Sequence, residues 1–160
     1  MSRSITTRRS RIHGNGVFAA RDLPAHHTVI RYKGRLITHE EADRRYGGNT
    51  DSGHTFLFTL NDRFVIDGNV DANSARWINH SCDPNCEAVL CESKDGDPAN
   101  DYVEIETLRP IRAGEELTYD YGIVLEVRHT RRLKEIWACR CGADRCTGTM
   151  LKPKTRRASA

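Results

Sequence analysis

Apolar and polar positions along this chain alternate in short bursts, each cut off by glycine, proline, asparagine or aspartate. Val29 to Ile37 alternates well enough for a strand, with Gly34 inside it marking a bulge or a close contact. Thr55 to Leu60 and Arg63 to Asp67 are two β-rich runs joined by Asn61-Asp62, a hairpin signal. Cys86 to Cys91 and Tyr102 to Leu108 read as paired strands, and the Asp, Gly and Pro content of Glu92 to Asp101 predicts an exposed loop between them. Thr38 with Glu41 three residues on is a capping box, opening a helix through about Tyr46 that Gly47-Gly48-Asn49 ends. A short helix is expected from about Val70 to Ile78. Another is expected over Glu126 to Trp137, anchored by Leu133, Ile136 and Trp137. Asp22 to Ala25 and Arg109 to Gly114 are turns. Many short strands with few helices predict a mainly β domain.

Composition narrows this picture. A chain of 160 residues is one domain, large enough to bury a core. Its hydrophobic fraction of 38% and mean hydropathy of −0.65 describe a polar chain, and no apolar run approaches a membrane span, so no membrane partner is expected. Met1-Ser2-Arg3-Ser4 carries no apolar signal core, which makes a cytoplasmic location the expectation and leaves nuclear or secreted-effector destinations open. The net charge of +3 is mild but uneven. Arg3, Arg8, Arg9 and Arg11 crowd one end, and Lys152, Lys154, Arg156 and Arg157 crowd the other. Residues 1–7 and 153–160 are therefore expected as basic flexible tails. Neither tail interleaves aromatics or carries a nucleic-acid motif, so direct nucleic-acid binding is not expected.

The densest chemistry lies in Arg76-Trp77-Ile78-Asn79-His80-Ser81-Cys82-Asp83-Pro84-Asn85-Cys86. Asn79 and His80 each offer donor and acceptor capacity for a polar ligand. Cys82 is a potential thiolate, and Asp83-Pro84-Asn85 forces a turn. Alone, a helix end with a core histidine and a buried thiol explains the stretch equally well. Downstream features break the tie. Cys139-Arg140-Cys141 followed by Cys146 is too tight for an ordinary disulfide framework and reads as three thiolates around a metal. Structural zinc takes four ligands, so Cys82, Cys86 or Cys91 supplies the last, or the site stays open. Tyr119 and Tyr121, two apart on a strand, place two phenols on one face. Gly14-Asn15-Gly16 allows close backbone approach to a ligand, although a plain turn explains it too. It lacks the third glycine of a dinucleotide fingerprint.

Taken together, these blocks resemble the SET-domain protein-lysine methyltransferases. His13 to Val17 is similar to the family's first cofactor loop, Tyr32 to Ile37 to its second block, Arg76 to Asn85 to its signature, and Gly114 to Gly122 to its tyrosine-bearing strand. Cys139, Cys141 and Cys146 resemble the zinc-binding post-SET segment. The resemblance runs from roughly residue 8 to residue 152. It implies a SET domain over 8–124, a post-SET segment over 125–152, and a compact stand-alone enzyme. The implied fold is one of small curved β-sheets in which the signature and the tyrosine strand thread through one another, knot-like.

The resemblance also implies the site. Structural zinc would be held by Cys82, Cys139, Cys141 and Cys146, leaving Cys86 and Cys91 as buried thiols. S-adenosylmethionine would lie against His13, Gly14, Asn15, Gly16 and Val17. Arg76, Trp77, Asn79 and His80 would complete that side, with Tyr121 beside it and Phe56 and Leu151 as apolar walls. A target lysine of a protein, such as a histone-like or ribosomal one, would enter a channel lined by Tyr32, Tyr119 and Tyr121. Tyr121 would be the central catalytic residue. Tyr119 stands where the family carries Phe or Tyr, which implies a mono- or dimethylated product. Arg35, Asn15 and Phe56 depart from the family's usual residues, and these departures bear on cofactor affinity.

Overall fold

A computed structural model describes residues 4–46, 56–122, 128 and 130–151. The expected helix stop at Gly47-Gly48-Asn49, the 124/125 domain boundary and the tails beyond Leu151 lie outside the described residues. The architecture is mainly β, as the pattern predicts: ten short strands in four small sheets, with two helices, among the described residues.

β1 (Ile5–Arg9) and β2 (Asn15–Ala19) form an antiparallel hairpin. The run from Val29 to Ile37 is not one strand but two: β3 (Thr28–Tyr32) and β4 (Arg35–Thr38) belong to different sheets. Gly34 explains the break, because a Cβ there would lie 2.5 Å from the Asp67 carbonyl oxygen. The chain presses against its neighbour at that point and departs in a new direction. Periodicity alone cannot register a change of sheet. α1 (His39–Tyr46) follows, its first turn capped by Thr38 Oγ1 accepting from the Glu41 N–H at 3.1 Å. Glu41 itself pairs with Arg45 at 2.9 Å.

β5 (Leu57–Thr59) and β6 (Phe64–Asp67) make the expected hairpin, closed by Asn61 Oδ1 accepting from the N–H groups of Arg63 and Phe64. With β4 they form a β4-β6-β5 sheet. The helix expected from Val70 to Ile78 shrinks to one 3₁₀ turn, Ser74–Trp77, capped by Asn73. Gly68, Asn69, Asp71 and Asn73 are poor helix formers, and Asp71 sits at a φ of 51°. Ile78 then leaves extended and delivers β7 (Asn79–His80).

β8 (Cys86–Cys91) and β9 (Tyr102–Thr107) pair from Cys86↔Thr107 to Cys91↔Tyr102, and β3 completes the β3-β9-β8 sheet. The loop between them contains one 3₁₀ turn, Pro98–Asn100. Cys86 is fully buried, and burial pushes its thiol up to about 12. Cys91, expected to be buried as well, is half-exposed instead, because it ends β8, an edge strand of its sheet.

β10 (Thr118–Tyr119) runs parallel to β7, so the signature segment and the tyrosine strand lie side by side. Asn85 locks them together: its Oδ1 accepts from Thr118 N at 2.9 Å and its Nδ2 donates to Glu116 O at 2.8 Å. Of the helix expected over Glu126 to Trp137, the described residues carry α2 (Arg131–Ile136), with Thr130 as an extended N-cap that accepts from Leu133 N; Glu126, Val127 and His129 lie outside the described residues. Ile78, Ile105, Ile111 and Leu117 are each at most 1% exposed. Burial of each such side chain contributes about 1.5–3 kcal/mol, enough to hold β7 and β10 at fixed depth.

Candidate active site

The β1–β2 turn, the 3₁₀ turn, β7 and the C-terminal segment converge on a cleft of about 520 Å³. His13, Gly14 and Asn15 form one wall, and Arg76, Trp77, Asn79 and His80 the floor. Phe56 and Tyr121 close one side, and Trp137 to Arg140 with Met150 close the other. Gly16, Val17 and Leu151, expected at the cofactor, do not line it. Val17 and Leu151 are buried, and Gly16 packs so closely that an added Cβ would meet the Glu116 carboxylate and the Ser10 side chain.

Aromatic stacking shapes the floor. The Phe56 and Trp77 rings meet edge-on at 5.4 Å, the Arg76 guanidinium lies 4.3 Å over Trp77, and its Nη1 donates to Gly68 O at 3.1 Å. Such a cation on an aromatic platform is held in place by both contacts. Asn79 Nδ2 is surrounded by three acceptors: His13 O at 3.1 Å, Asn15 O at 3.0 Å and Glu116 Oε1 at 2.9 Å. This amide therefore spends its donors on holding the β1–β2 turn, leaving Oδ1 as the group not engaged by these bonds. Glu116, which sequence reasoning missed, also receives Ser10 Oγ at 2.7 Å. Its signal was available: two adjacent acids, Glu115 and Glu116, open the tyrosine block. Trp137 was read only as a helix anchor, and Met150 carried no signal.

The phenols gather at one edge of the cleft. Tyr119 and Tyr121 have ring centroids 4.8 Å apart, although β10 ends at Tyr119 and Tyr121 lies beyond it. Phe58, also missed, bridges the group, 5.2 Å from Tyr32 and 6.3 Å from Tyr119. Tyr32 and Tyr119 are 5% and 6% exposed, and only Tyr121 reaches the cleft. Burial raises all three phenol pKa values above the usual 10.0, so the hydroxyls stay protonated. Tyr32 donates to Phe56 O at 3.0 Å, and Tyr121 donates to Ile78 O. These carbonyls fix where each oxygen points.

Next to the cleft, which Cys139 lines, Cys82, Cys139, Cys141 and Cys146 bring their sulfurs within 4.8 Å of one another, with Cys82 at 3.8 Å from Cys139 and 3.9 Å from Cys146. Four thiolates at about 2.3 Å around a tetrahedral zinc would stand about 3.8 Å apart, so the spacing fits that ion. Burial pushes the Cys139 thiol up. At Cys141 burial acts in the same direction, but the Cys82 and Ala143 backbone N–H groups and the neighbouring thiols outweigh it and bring the thiol to about 6. Cys86 and Cys91 take no part in the cluster.

Set against known proteins, residues 14–122 match the sequence profile of the SET domain, more than half of the chain. The chain is 37% identical over 140 residues to the histone-lysine N-methyltransferase trithorax of Drosophila virilis, covering 86% of this chain and 3% of that protein. It is 40% identical over 140 residues to histone-lysine N-methyltransferase 2D of Homo sapiens, covering 86% of this chain and 2% of that one. A solved structure of ctPRC2 in an autoinhibited conformation bound to S-adenosylmethionine superposes with a TM-score of 0.66 at 28% identity, over 76% of this chain and 15% of that one. The cleft, the parallel β7–β10 pair and the phenols at its edge thus define a SET domain, and this chain belongs to the SET-domain family.

Proposed function

We propose that this chain transfers a methyl group from S-adenosylmethionine to a lysine side chain of a protein. One observation carries the reading: Tyr121 lines the cleft and packs against Tyr119 with ring centroids 4.8 Å apart, joining a cofactor-sized cavity to a buried phenol cluster. The methyltransferase names of the relatives and the S-adenosylmethionine in the ctPRC2 structure support it.

S-adenosylmethionine, when bound, supplies an electrophilic methyl carbon on a sulfonium. The chain's own residues do the rest. His13 to Asn15, Arg76, Trp77, Asn79 and His80 hold the cofactor in the cleft. Tyr32, Tyr119 and Tyr121 exclude water from the incoming amine, and that desolvation favours its neutral, nucleophilic form. Tyr121, with its hydroxyl fixed on Ile78 O, orients the nitrogen end-on to the methyl. Alignment of this kind is worth several kcal/mol, since well-oriented reactants reach effective molarities of about 10⁵ M or more. The lysine ammonium gives up one proton to solvent before transfer, and the positive charge of the sulfonium passes to the methylated ammonium as the neutral thioether product departs. Tyr119 crowds the channel and limits the product to mono- or dimethyl-lysine.

Cys82, Cys139, Cys141 and Cys146 would hold a structural zinc ion, whose role is to pin the Trp137 to Met150 wall. The substrate we favour is a basic protein of the histone-like or ribosomal kind. Calorimetry with S-adenosylmethionine, followed by methyl transfer to histone and ribosomal protein mixtures, tests the proposal. Binding with transfer that Tyr121→Phe lowers about 10²- to 10³-fold is expected; binding without any transfer refutes the enzymatic reading.

A further inference from the structure

His80 lies between the two halves of the site. It is 3% exposed, and its ring stands edge-on to Tyr121 at 5.4 Å. Its Nδ1 accepts a hydrogen bond from the Tyr121 backbone N–H at 3.0 Å. That assigns the tautomer: Nδ1 is the acceptor, so the ring N–H sits on Nε2. Asp120 Oδ1, at 3.7 Å from Nδ1, is too far to compete. Nε2 faces Cys82 Sγ at 3.7 Å, within reach of an N–H···S bond. One imidazole thus touches the metal-ligating sulfur with one nitrogen and the backbone of the phenol residue with the other.

We propose that His80 is a positioning residue that couples the thiolate cluster to Tyr121. Its Nε2–H steadies the Cys82 sulfur, and its Nδ1 sets the height of the Tyr121 backbone beneath the cleft. Partners behind a metal ligand orient it, and their loss commonly lowers metal affinity or activity about 10- to 100-fold. A single ring serving both ends makes the two effects separable by substitution. The inference rests on reading the four cysteines as a zinc site and Tyr121 as the catalytic residue.

The test uses the full chain and its His80→Phe, His80→Asn and His80→Gln variants, each loaded with cobalt or zinc. Zinc affinity is read by competition with a chelator, the sulfur-to-cobalt charge-transfer band by absorbance, and kcat and KM at saturating zinc. Phenylalanine keeps the ring and loses both bonds, so zinc affinity and kcat should each fall about 10- to 100-fold, with a shifted cobalt band. Asparagine can still accept from Tyr121 N–H but falls short of Cys82, so the metal readouts should fall as far as with phenylalanine while kcat falls less. Glutamine reaches toward Cys82 but places no acceptor under Tyr121, so mainly kcat should fall. If the wild type takes up metal and the variants match it in zinc affinity, cobalt band and kcat, the inference is overturned by itself. Variants that differ only in melting temperature overturn it equally. If the wild type takes up no metal, the zinc reading falls and this inference with it.

Discussion

The two sides of the cleft are built on opposite principles. The phenol side hangs on β3 and β10, and Tyr32 and Tyr119 are buried against the main core. The thiol side joins Cys82 to a loop segment after α2 that carries Cys139, Cys141 and Cys146, and all four cysteines are half-exposed. Apolar burial positions the first without help. The second joins distant parts of the chain, Cys82 from the signature and three sulfurs from the C-terminal segment, with little apolar area to hold them. Small segments of that kind depend on a metal for their order. The core therefore fixes the phenol side, whereas the thiol side has the arrangement a metal would hold.

The comparison can be broken from either side. On the phenol side, Tyr121→Phe should cost the most: removal of one positioned hydroxyl is expected to lower kcat about 10²- to 10³-fold. Cofactor affinity should move far less, and equal losses in both would show that Tyr121 serves binding alone. On the thiol side, stripping zinc with a chelator should weaken S-adenosylmethionine binding about tenfold or more, because Trp137, Cys139, Arg140 and Met150 form a wall of the cleft. Limited proteolysis should then cut after α2 while the β core survives. Cutting in both regions together would show that the two sides are not independent.

Smaller effects sharpen the contrast. The folded protein holds the protons of Tyr32, Tyr119 and Tyr121 more tightly than the unfolded chain, so stability is complete below the ordinary tyrosine pKa of 10.0 and falls as pH rises above it. Tyr119→Phe should flatten that fall, measured as the urea midpoint between roughly pH 9 and 11. The same variant should move mass-spectrometric products toward trimethyl-lysine with little change in overall rate. An unchanged product distribution would remove Tyr119 from control of the methyl count.

Legibility followed the range of the interaction. Capping by Thr38 and the Asn61 hairpin turn depend on neighbours within three residues, and both were readable. The Cys-x-Cys-x4-Cys spacing was equally local, whereas the fourth cysteine came from family resemblance and not from spacing. Glu116, Phe58 and Met150 were missed because their roles arise only when strands far apart in the chain meet. The Val29 to Ile37 run misled for the same reason, since the obstacle that splits it is a carbonyl on β6.

The residue types and their order, by themselves, determined that this protein is a mainly β domain carrying a signature amide–imidazole pair, a tyrosine block and a metal-spaced cysteine group. Those features need only short-range geometry and side-chain chemistry. Tertiary structure alone decided that Asn79 would brace the β1–β2 turn, that only Tyr121 among the phenols would reach the cleft, and that Cys82 would complete the sulfur cluster. Each of those outcomes is a contact across dozens of residues, set by how β7 and β10 pair and by which side chains the core leaves room for.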